Sequence, residues 1–129
     1  MKDDELVSIK PFNVFGNDSK GITADFSLSR KQADFIFLQR FAGSISGNTY
    51  HEGKNEGTNP KTFILASGEI EFNYRDVTKD KKYTTKVIAP SLIEVRPNVV
   101  HSVEALTDII IFECNTLSDI QQDRIKEEV

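Results

Sequence analysis

Histidine is the side chain that most readily exchanges protons near neutral pH, and the chain contains two, His51 and His101. His51 ends the segment Gly-Asn-Thr-Tyr-His at residues 47–51, and His101 follows a Pro-Asn turn at residues 97–98. A base whose pKa lies near the working pH can take a proton from a reacting group and return it. Both histidines are therefore candidate acid/base residues, with a role as hydrogen-bonded core imidazoles as the alternative.

Proton transfer of this kind is assisted by a donor that stabilises the negative charge developing on the substrate. Suitable hydroxyl or cationic groups belong to Tyr50, Tyr74, Arg40 and Lys61. Arg40 and Arg96 each lie next to an apolar residue, and an arginine that faces a barrel interior must find an anion or a bound ligand. We therefore expect the two arginines and Lys61 to contact a substrate, whereas Tyr74 has the alternative of being a core aromatic.

Short runs of β-forming residues, separated by turn formers, recur along the chain and must position these side chains. Many short strands at regular spacing predict one all-β domain over residues 1–129, a barrel or sandwich that can hold a small ligand. The cluster of turn formers at residues 16–21 separates the first two strands. The predicted strands are residues 6–10, 22–28, 35–41, 69–74, 83–88, 92–96, 99–106 and 108–114, with another before the turn at Gly68.

Residues 35–41 carry apolar side chains on both faces of the predicted strand. Phe35, Phe37 and Phe41 share one face, and Ile36 and Leu38 share the other. A strand that is apolar on both faces is typical of a buried position, so we expect a central strand here.

Helical periodicity occurs only near the carboxyl end of the chain. Ser118 or Asp119 can cap a short helix, and Ile120, Arg124 and Ile125 supply one modest apolar stripe. The surrounding charges are interpreted as a solvated face. Cys114, at the end of an Ile-rich strand, is expected to be an inert core thiol.

The order of these features resembles the two motifs of the cupin superfamily. A glycine precedes a His-bearing strand, a strand turns at Gly68, and a proline turn leads into a second His-bearing strand. The resemblance extends from about Phe12 to Asn115. It implies a double-stranded β-helix, or jelly-roll barrel, here with a short C-terminal helix. That barrel hosts many unrelated activities, so the motifs alone do not define a function.

Finer features resemble one group of cupins, the nucleotide-sugar 3,5-epimerases and keto-sugar isomerases. These features are the turn at residues 17–21, the segment at residues 47–51, and residues 74–78. The resemblance implies a nucleotide-linked keto-deoxysugar substrate from polysaccharide precursor synthesis. It also implies His51 as acid/base with Tyr50 and His101 as polar partners. A homodimer is expected because members of this group usually pair through strands outside the barrel.

One position departs from this group's Gly-x-His-x-His pattern, because Thr49 stands where the first histidine is expected. A threonine hydroxyl cannot accept a proton near neutral pH. The departure leaves open a second interpretation, a barrel that binds a sugar without catalysis, with Thr49 as a contact.

A third interpretation is a metal cupin, as an enzyme or a sensor. His51, Glu56 and His101 can supply three ligands to a divalent metal. Lys61, however, occupies the usual position of the metal-binding glutamate in the cupin pattern. A protonated lysine is a poor metal ligand, whereas a lysine seven residues before the turn glycine resembles the epimerases, in which it contacts the substrate. The resemblance therefore implies that Lys61 contacts an anionic or keto-sugar ligand, and we expect no resident cofactor.

Composition excludes other classes of function. The 129 residues carry a net charge of −4, without the concentrated basic face that nucleic-acid binding requires. The longest apolar run, residues 109–112, is far shorter than the roughly 20 residues that span a membrane. The acidic start of the chain and its single cysteine predict a cytoplasmic protein.

Overall fold

A computed structural model describes residues 5–129 as two facing antiparallel sheets, a separate hairpin and one short helix. The first sheet has the strand order β1-β9-β6-β11-β4, the second β12-β5-β10-β7-β8, and β2 pairs with β3. The elements are β1 (Val7–Pro11), β2 (Asn13–Asp18), β3 (Gly21–Asp25), β4 (Ile36–Arg40), β5 (Ile45–Tyr50), β6 (Lys61–Ser67), β7 (Glu69–Asp76), β8 (Tyr83–Ile88), β9 (Ser91–Val95), β10 (Val99–Ala105), β11 (Ile109–Glu113), α1 (Leu117–Gln122) and β12 (Ile125–Lys126).

The core lies between the two sheets, where side chains from the facing surfaces interdigitate. Leu65 and Ile93 enter it from the first sheet, and Ile70 and Phe72 from the second. Phe63 meets Phe72 across the interface with ring centroids 6.4 Å apart. The predicted all-β jelly-roll barrel is therefore confirmed, and no helix within residues 5–129 is long and apolar enough to cross a membrane.

The expectation that residues 35–41 form a central strand is wrong. β4 is the edge strand of its sheet and pairs only with β11. Phe37 and Phe41 are 57% and 72% exposed, because their face of the strand turns away from the core. Ile36, Leu38 and Arg40 take the inner face. Apolar alternation alone cannot distinguish an edge strand with exposed aromatic side chains from a buried one.

Two local boundaries also differ from the expectation. Residues 16–18, expected in the turn, belong instead to the strand β2, which forms with β3 a hairpin that joins neither sheet. The helix is capped by Thr116, not by Ser118 or Asp119. The Thr116 hydroxyl accepts a hydrogen bond from the Asp119 backbone N–H, and the Asp119 carboxylate accepts one from the Thr116 backbone N–H. Of the predicted helix stripe, only Ile120 is buried in the helix, since Ile125 lies beyond it in β12.

Candidate functional site

A cavity of about 280 Å³ opens between the sheets, lined by apolar core residues and a few polar groups. Thr49, His51, Lys61 and His101 are buried along its wall. Four of the sequence-predicted site residues therefore come together at one place, as does Arg40, which is only half-buried. A concave, mostly apolar cavity with a few convergent polar groups is typical of a small-molecule site.

The two histidines form a buried pair. His101 is the third residue of β10, and it pairs in register with Thr49 of the neighbouring strand β5. His51 follows β5 directly, so the pairing brings the two imidazoles to a centroid distance of 5.5 Å. They are 4% and 3% exposed. His101 also stacks on Phe72, with the ring planes 14° apart.

The hydrogen bonds of both imidazoles define which ring nitrogen is protonated. His51 Nδ1 lies 2.5 Å from the Asp123 carbonyl oxygen, and His101 Nδ1 lies 3.0 Å from that of Val99. A carbonyl oxygen only accepts, so each Nδ1 must carry the proton and donate. Each neutral ring is left with Nε2 as its basic nitrogen.

Burial keeps both histidines neutral at pH 7. Desolvation lowers the pKa of His101 to about 3, against the smaller raising effect of the Val99 carbonyl. Desolvation also lowers the pKa of His51, where the Asp123 backbone carbonyl opposes it and Lys61 adds to it. His101 is therefore the weaker base of the pair, and His51 retains more of its capacity to accept a proton.

A buried lysine faces this pair across the cavity. Lys61, 2% exposed, donates to the Glu113 carboxylate and, at 2.5 Å, to the Asn115 side-chain oxygen. Its ammonium also lies 5.2 Å from the Phe63 ring centroid. Desolvation lowers the pKa of Lys61, and the Glu113 carboxylate opposes that shift. The ion pair explains how a cation can be kept this deep in the barrel.

A bulge in β5 positions His101. The register between β5 and β10 shifts at His101 and Ser102, opposite Gly47. Gly47 has φ +98°, and a Cβ there would lie 2.9 Å from the His101 carbonyl oxygen. Only glycine fits this close approach at a positive φ.

Asp123, which the sequence analysis counted among the charges of a solvated face, is only 2% exposed and anchors the loop that follows His51. Its carboxylate accepts the backbone N–H groups of Glu52, Gly53 and Lys54 at 2.8–2.9 Å, and the Thr58 hydroxyl at 2.6 Å. Burial raises the pKa of Asp123, but these donors together outweigh it and hold the pKa below its usual value. The same residue's carbonyl orients His51. No local sequence signal marks Asp123, because its partners lie about 70 positions earlier in the chain.

Two further basic residues line the cavity although no motif marked them. Arg124 follows the helix and Lys126 lies in β12, and both are exposed. Arg40 enters from β4 and donates to the Ser46 hydroxyl at 3.2 Å and to the Gln39 carbonyl at 3.0 Å. The cavity is therefore lined by exposed cationic side chains as well as by buried polar ones.

Four of the sequence-predicted site residues do not line the cavity. Arg96 lines a second, surface cleft with Glu94 and Lys10. Tyr50 alternates with Thr49 along β5 and so faces away, and Tyr74 packs on the core and stacks on Tyr83. Strand alternation accounts for Tyr50, whereas Tyr74 shares the inner face of β7 with Phe72 and packs on the core without lining the cavity. The fourth, Glu56, belongs to the metal alternative considered next.

The ligand set proposed for a metal does not assemble. Glu56 is exposed in the loop after His51 and does not line the cavity. Within the part of the chain that the structure describes, no three or more His, Cys, Asp or Glu side chains are grouped to hold a metal ion. Cys114 is 1% exposed, and burial raises the pKa of its thiol to about 11, as expected for an inert core residue.

Comparison with known proteins identifies the fold. No protein-family model and no curated protein matches the chain. A mutant of the 3,4-ketoisomerase QdtA from Thermoanaerobacterium thermosaccharolyticum, in complex with TDP-4-keto-6-deoxyglucose, superposes with a TM-score of 0.73 at 11% identity. The match covers 95% of this chain and 88% of QdtA.

Two other solved structures share the barrel. The dTDP-4-dehydrorhamnose 3,5-epimerase from Sulfolobus tokodaii matches with a TM-score of 0.69 at 17% identity, over 100% of this chain and 75% of the epimerase. The capsular polysaccharide assembling protein CapF from Staphylococcus aureus matches with a TM-score of 0.63 at 20% identity, over 92% of this chain and 35% of CapF. The cupin-type fold expected from the motifs is therefore confirmed.

Proposed function

We propose that the protein is an isomerase or epimerase of a nucleotide-linked keto-deoxysugar, with His51 as the acid/base. One observation carries this proposal: two buried neutral imidazoles, 5.5 Å apart, each donate from Nδ1 to a backbone carbonyl and so keep Nε2 available as a base. Such a pair in a cavity suits the removal and return of a carbon-bound proton.

His51 is the better base of the two. The pKa of His101 is lowered to about 3, too low for it to accept a carbon-bound proton readily at neutral pH. Burial also lowers the pKa of His51, but the Asp123 backbone carbonyl and the Asp123 and Glu113 carboxylates oppose that shift. In the proposed reaction, His51 Nε2 takes the proton from the carbon next to the ketone. The electron pair of the C–H bond then forms the enolate. In an epimerisation, a proton returns to the opposite face of the same carbon. In an isomerisation, the proton of the neighbouring hydroxyl passes to the enolate oxygen, and a proton returns to the carbon that carried the ketone, so that the neighbouring carbon becomes the new ketone.

Lys61 is the donor best placed to stabilise the enolate oxygen. Of the four donors suggested by the sequence, only Lys61 and Arg40 line the cavity. The Lys61 ammonium has Glu113 and Asn115 as fixed partners, so it is held in place before substrate binds. A preorganised cation in a low-dielectric site stabilises developing negative charge without reorganising.

The comparisons support this class of substrate. QdtA was crystallised with TDP-4-keto-6-deoxyglucose, and the Sulfolobus enzyme is a dTDP-sugar 3,5-epimerase. Both have the barrel of this chain. A role in polysaccharide precursor synthesis is part of the same proposal, supported by the shared fold of the capsular protein CapF.

Deuterium uptake tests the chemistry. The protein is incubated in heavy water with TDP-4-keto-6-deoxyglucose, and the sugar is analysed by mass spectrometry against a no-protein control. We expect uptake that His51→Asn abolishes and that Lys82→Gln, at an exposed cation outside the cavity, preserves. Because the His51 pKa is lowered, the rate is expected to fall only below about pH 6.5.

The same assay distinguishes catalysis from binding alone. If the wild-type protein binds the nucleotide sugar but incorporates no deuterium, the isomerase proposal fails and the sugar-binding alternative holds. That alternative has a specific observation in its favour, since Thr49 is buried in the cavity wall where a second base is expected. Thr49→His would then be expected to introduce exchange.

A homodimer is the assembly we propose for this chain. The hairpin of β2 and β3 joins neither sheet and exposes Phe15 and Ile22, and the edge strand β4 exposes Phe37. Exposed apolar side chains of this size are common at protein interfaces. Light scattering after gel filtration is expected to give twice the monomer mass of 14.5 kDa, and a monomer would refute the assignment.

A further inference from the structure

We propose that Glu113 is the second proton-transfer group of the site, and that it moves the hydroxyl proton when a ketone shifts to the neighbouring carbon. The class of substrate, a keto-sugar, rests on the proposed function. The choice of Glu113, and of an isomerisation rather than an epimerisation, rests on the contacts of the cavity wall.

Glu113 is the last residue of β11, and its side chain faces the cavity. Ile109, Ile111 and Glu113 alternate along the strand, and all three line the cavity between the sheets. Among residues 5–129, no other carboxylate lines it. Burial lowers the pKa of His51, and the negative charge of Glu113 is one of the influences that oppose this shift. The carboxylate and the proposed base therefore lie within electrostatic reach of each other.

One carboxylate oxygen of Glu113 is free to accept a proton. Oε1 accepts from the Lys61 ammonium, whereas Oε2 has no hydrogen-bond or ion-pair partner within residues 5–129. The side chain is 15% exposed, and Oε2 is not sealed in the core. Because Glu113 lies on the cavity wall, Oε2 is an acceptor that a ligand can reach.

Lys61 provides a hydrogen-bond donor beside this acceptor. Its ammonium has three N–H groups, of which one goes to Glu113 and one, at 2.5 Å, to the Asn115 side-chain oxygen. The Asn115 amide nitrogen donates to the Thr116 carbonyl at 3.2 Å, which fixes the orientation of the amide. The third N–H of Lys61 has no partner in the described part of the chain. The ion pair thus offers a ligand one donor and one acceptor, side by side.

This arrangement is complementary to a ketone with a hydroxyl on the neighbouring carbon. The ketone oxygen accepts from Lys61, and the hydroxyl donates to Glu113 Oε2. A partly buried acceptor that finds no donor costs free energy, so the site favours a ligand that supplies this hydroxyl. An epimerisation moves no hydroxyl proton and makes no use of the acceptor. We therefore assign the site to isomerisation of an α-hydroxy ketone.

His51 and Glu113 divide the proton transfers of this isomerisation. His51 Nε2 takes the proton of the carbon that bears the hydroxyl; the C–H electron pair forms a carbon–carbon double bond, and the ketone π pair moves to its oxygen. Glu113 Oε2 takes the hydroxyl proton, and the O–H electron pair forms the new carbonyl. The double-bond pair takes the proton from His51 at the former ketone carbon, while Glu113 gives its proton to the former ketone oxygen. Both residues end as they began.

The test measures two rates in heavy water with TDP-4-keto-6-deoxyglucose, a sugar with a hydroxyl next to its ketone. Mass spectrometry gives deuterium uptake into the recovered substrate, and carbon NMR follows movement of the ketone. The variant is Glu113→Gln, with Glu128→Gln, at an exposed carboxylate outside the cavity, as its matched control. We expect Glu113→Gln to lower the ratio of ketone movement to uptake at least about 100-fold, and the control to leave it within about twofold.

The ratio separates a catalytic role from a structural one. If Glu113 only holds Lys61 in place, its loss slows both rates together, as Lys61→Met is expected to do, and an unchanged ratio refutes the proposal. An equal fall in the control also refutes it. Glu113→Asp keeps the charge beside Lys61 but withdraws the oxygen by one methylene, so it serves if Glu113→Gln does not fold, with an expected fall of about tenfold or more.

The wild-type protein distinguishes the two levels of the argument. Neither deuterium uptake nor ketone movement in the wild type would refute the proposed function. Uptake without any movement of the ketone would leave proton removal by His51 intact and refute only the role of Glu113.

Discussion

Acid is expected to destabilise the barrel through His101. This imidazole is 3% exposed, and desolvation lowers its pKa to about 3. The Val99 carbonyl opposes that shift, while His51 and Lys61 add to it through charge repulsion. In the unfolded chain, the same side chain has the ordinary histidine pKa near 6.5. Between these two values the unfolded state binds a proton that the folded state does not.

The sign and size of the effect follow from this difference. Because the folded pKa is the lower one, the stability contribution is complete above pH 6.5 and is lost as the pH falls toward 3. The loss proceeds at about 1.4 kcal/mol per pH unit within that window. Between pH 7 and pH 5, His101 alone is expected to remove about 2 kcal/mol from the free energy of unfolding.

Urea unfolding of the wild-type protein and of His101→Asn, each at pH 7 and pH 5, measures this share. The carboxylates titrate in both proteins, so their contribution cancels in the double difference. We expect the wild type to lose about 2 kcal/mol more than the variant over this range. Equal losses in the two proteins, within about 0.5 kcal/mol, would refute the reasoning. If the variant does not fold, an NMR titration of the wild-type imidazoles decides, and a midpoint for His101 above about pH 5 contradicts the burial argument.

Three further substitutions test the supports of the site by urea unfolding. Gly47→Ala is expected to lower the free energy of unfolding by about 1–3 kcal/mol more than Gly43→Ala does. Both positions have a positive φ, but only at Gly47 would the added Cβ contact backbone atoms of the neighbouring strand. Equal losses in the two variants would contradict this. Lys61→Met leaves the Glu113 carboxylate unpaired and is expected to cost about 3–5 kcal/mol, most of which Glu113→Gln in the same chain recovers; no recovery would disprove the pairing. Asp123→Asn places an amide against several donors and is expected to cost about 1–3 kcal/mol, so a neutral result would count against the anchor.

Local pattern was sufficient for the strands and for the core of the site. The alternation in residues 69–74 and the apolar runs around them predicted most of the barrel strands, because side-chain period depends only on neighbouring residues. The motif around His51 and the turn before His101 predicted a histidine pair, and the structure places the rings 5.5 Å apart. Lys61 and Thr49 were likewise expected beside them and line the same cavity.

Only the tertiary structure shows which face of a strand is buried and which strand lies at the edge of its sheet. Arg40 and Arg96 look alike in sequence, yet Arg40 projects into the cavity and Arg96 lines another cleft. Phe37 belongs to a strand that looked central and lies at an edge. Which face is buried depends on the strand's partners, and those partners are distant in the chain.

The amino-acid sequence by itself therefore determined the class of fold and identified His51, His101 and Lys61 as candidate site residues. Only the tertiary structure decided that Asp123 orients His51, which nitrogen of each imidazole is basic, and which cations reach the cavity. The reason is physical: residue type and spacing specify local conformation. Hydrogen-bond partners and burial, which tune pKa values, arise only when segments some 70 residues apart in the chain meet.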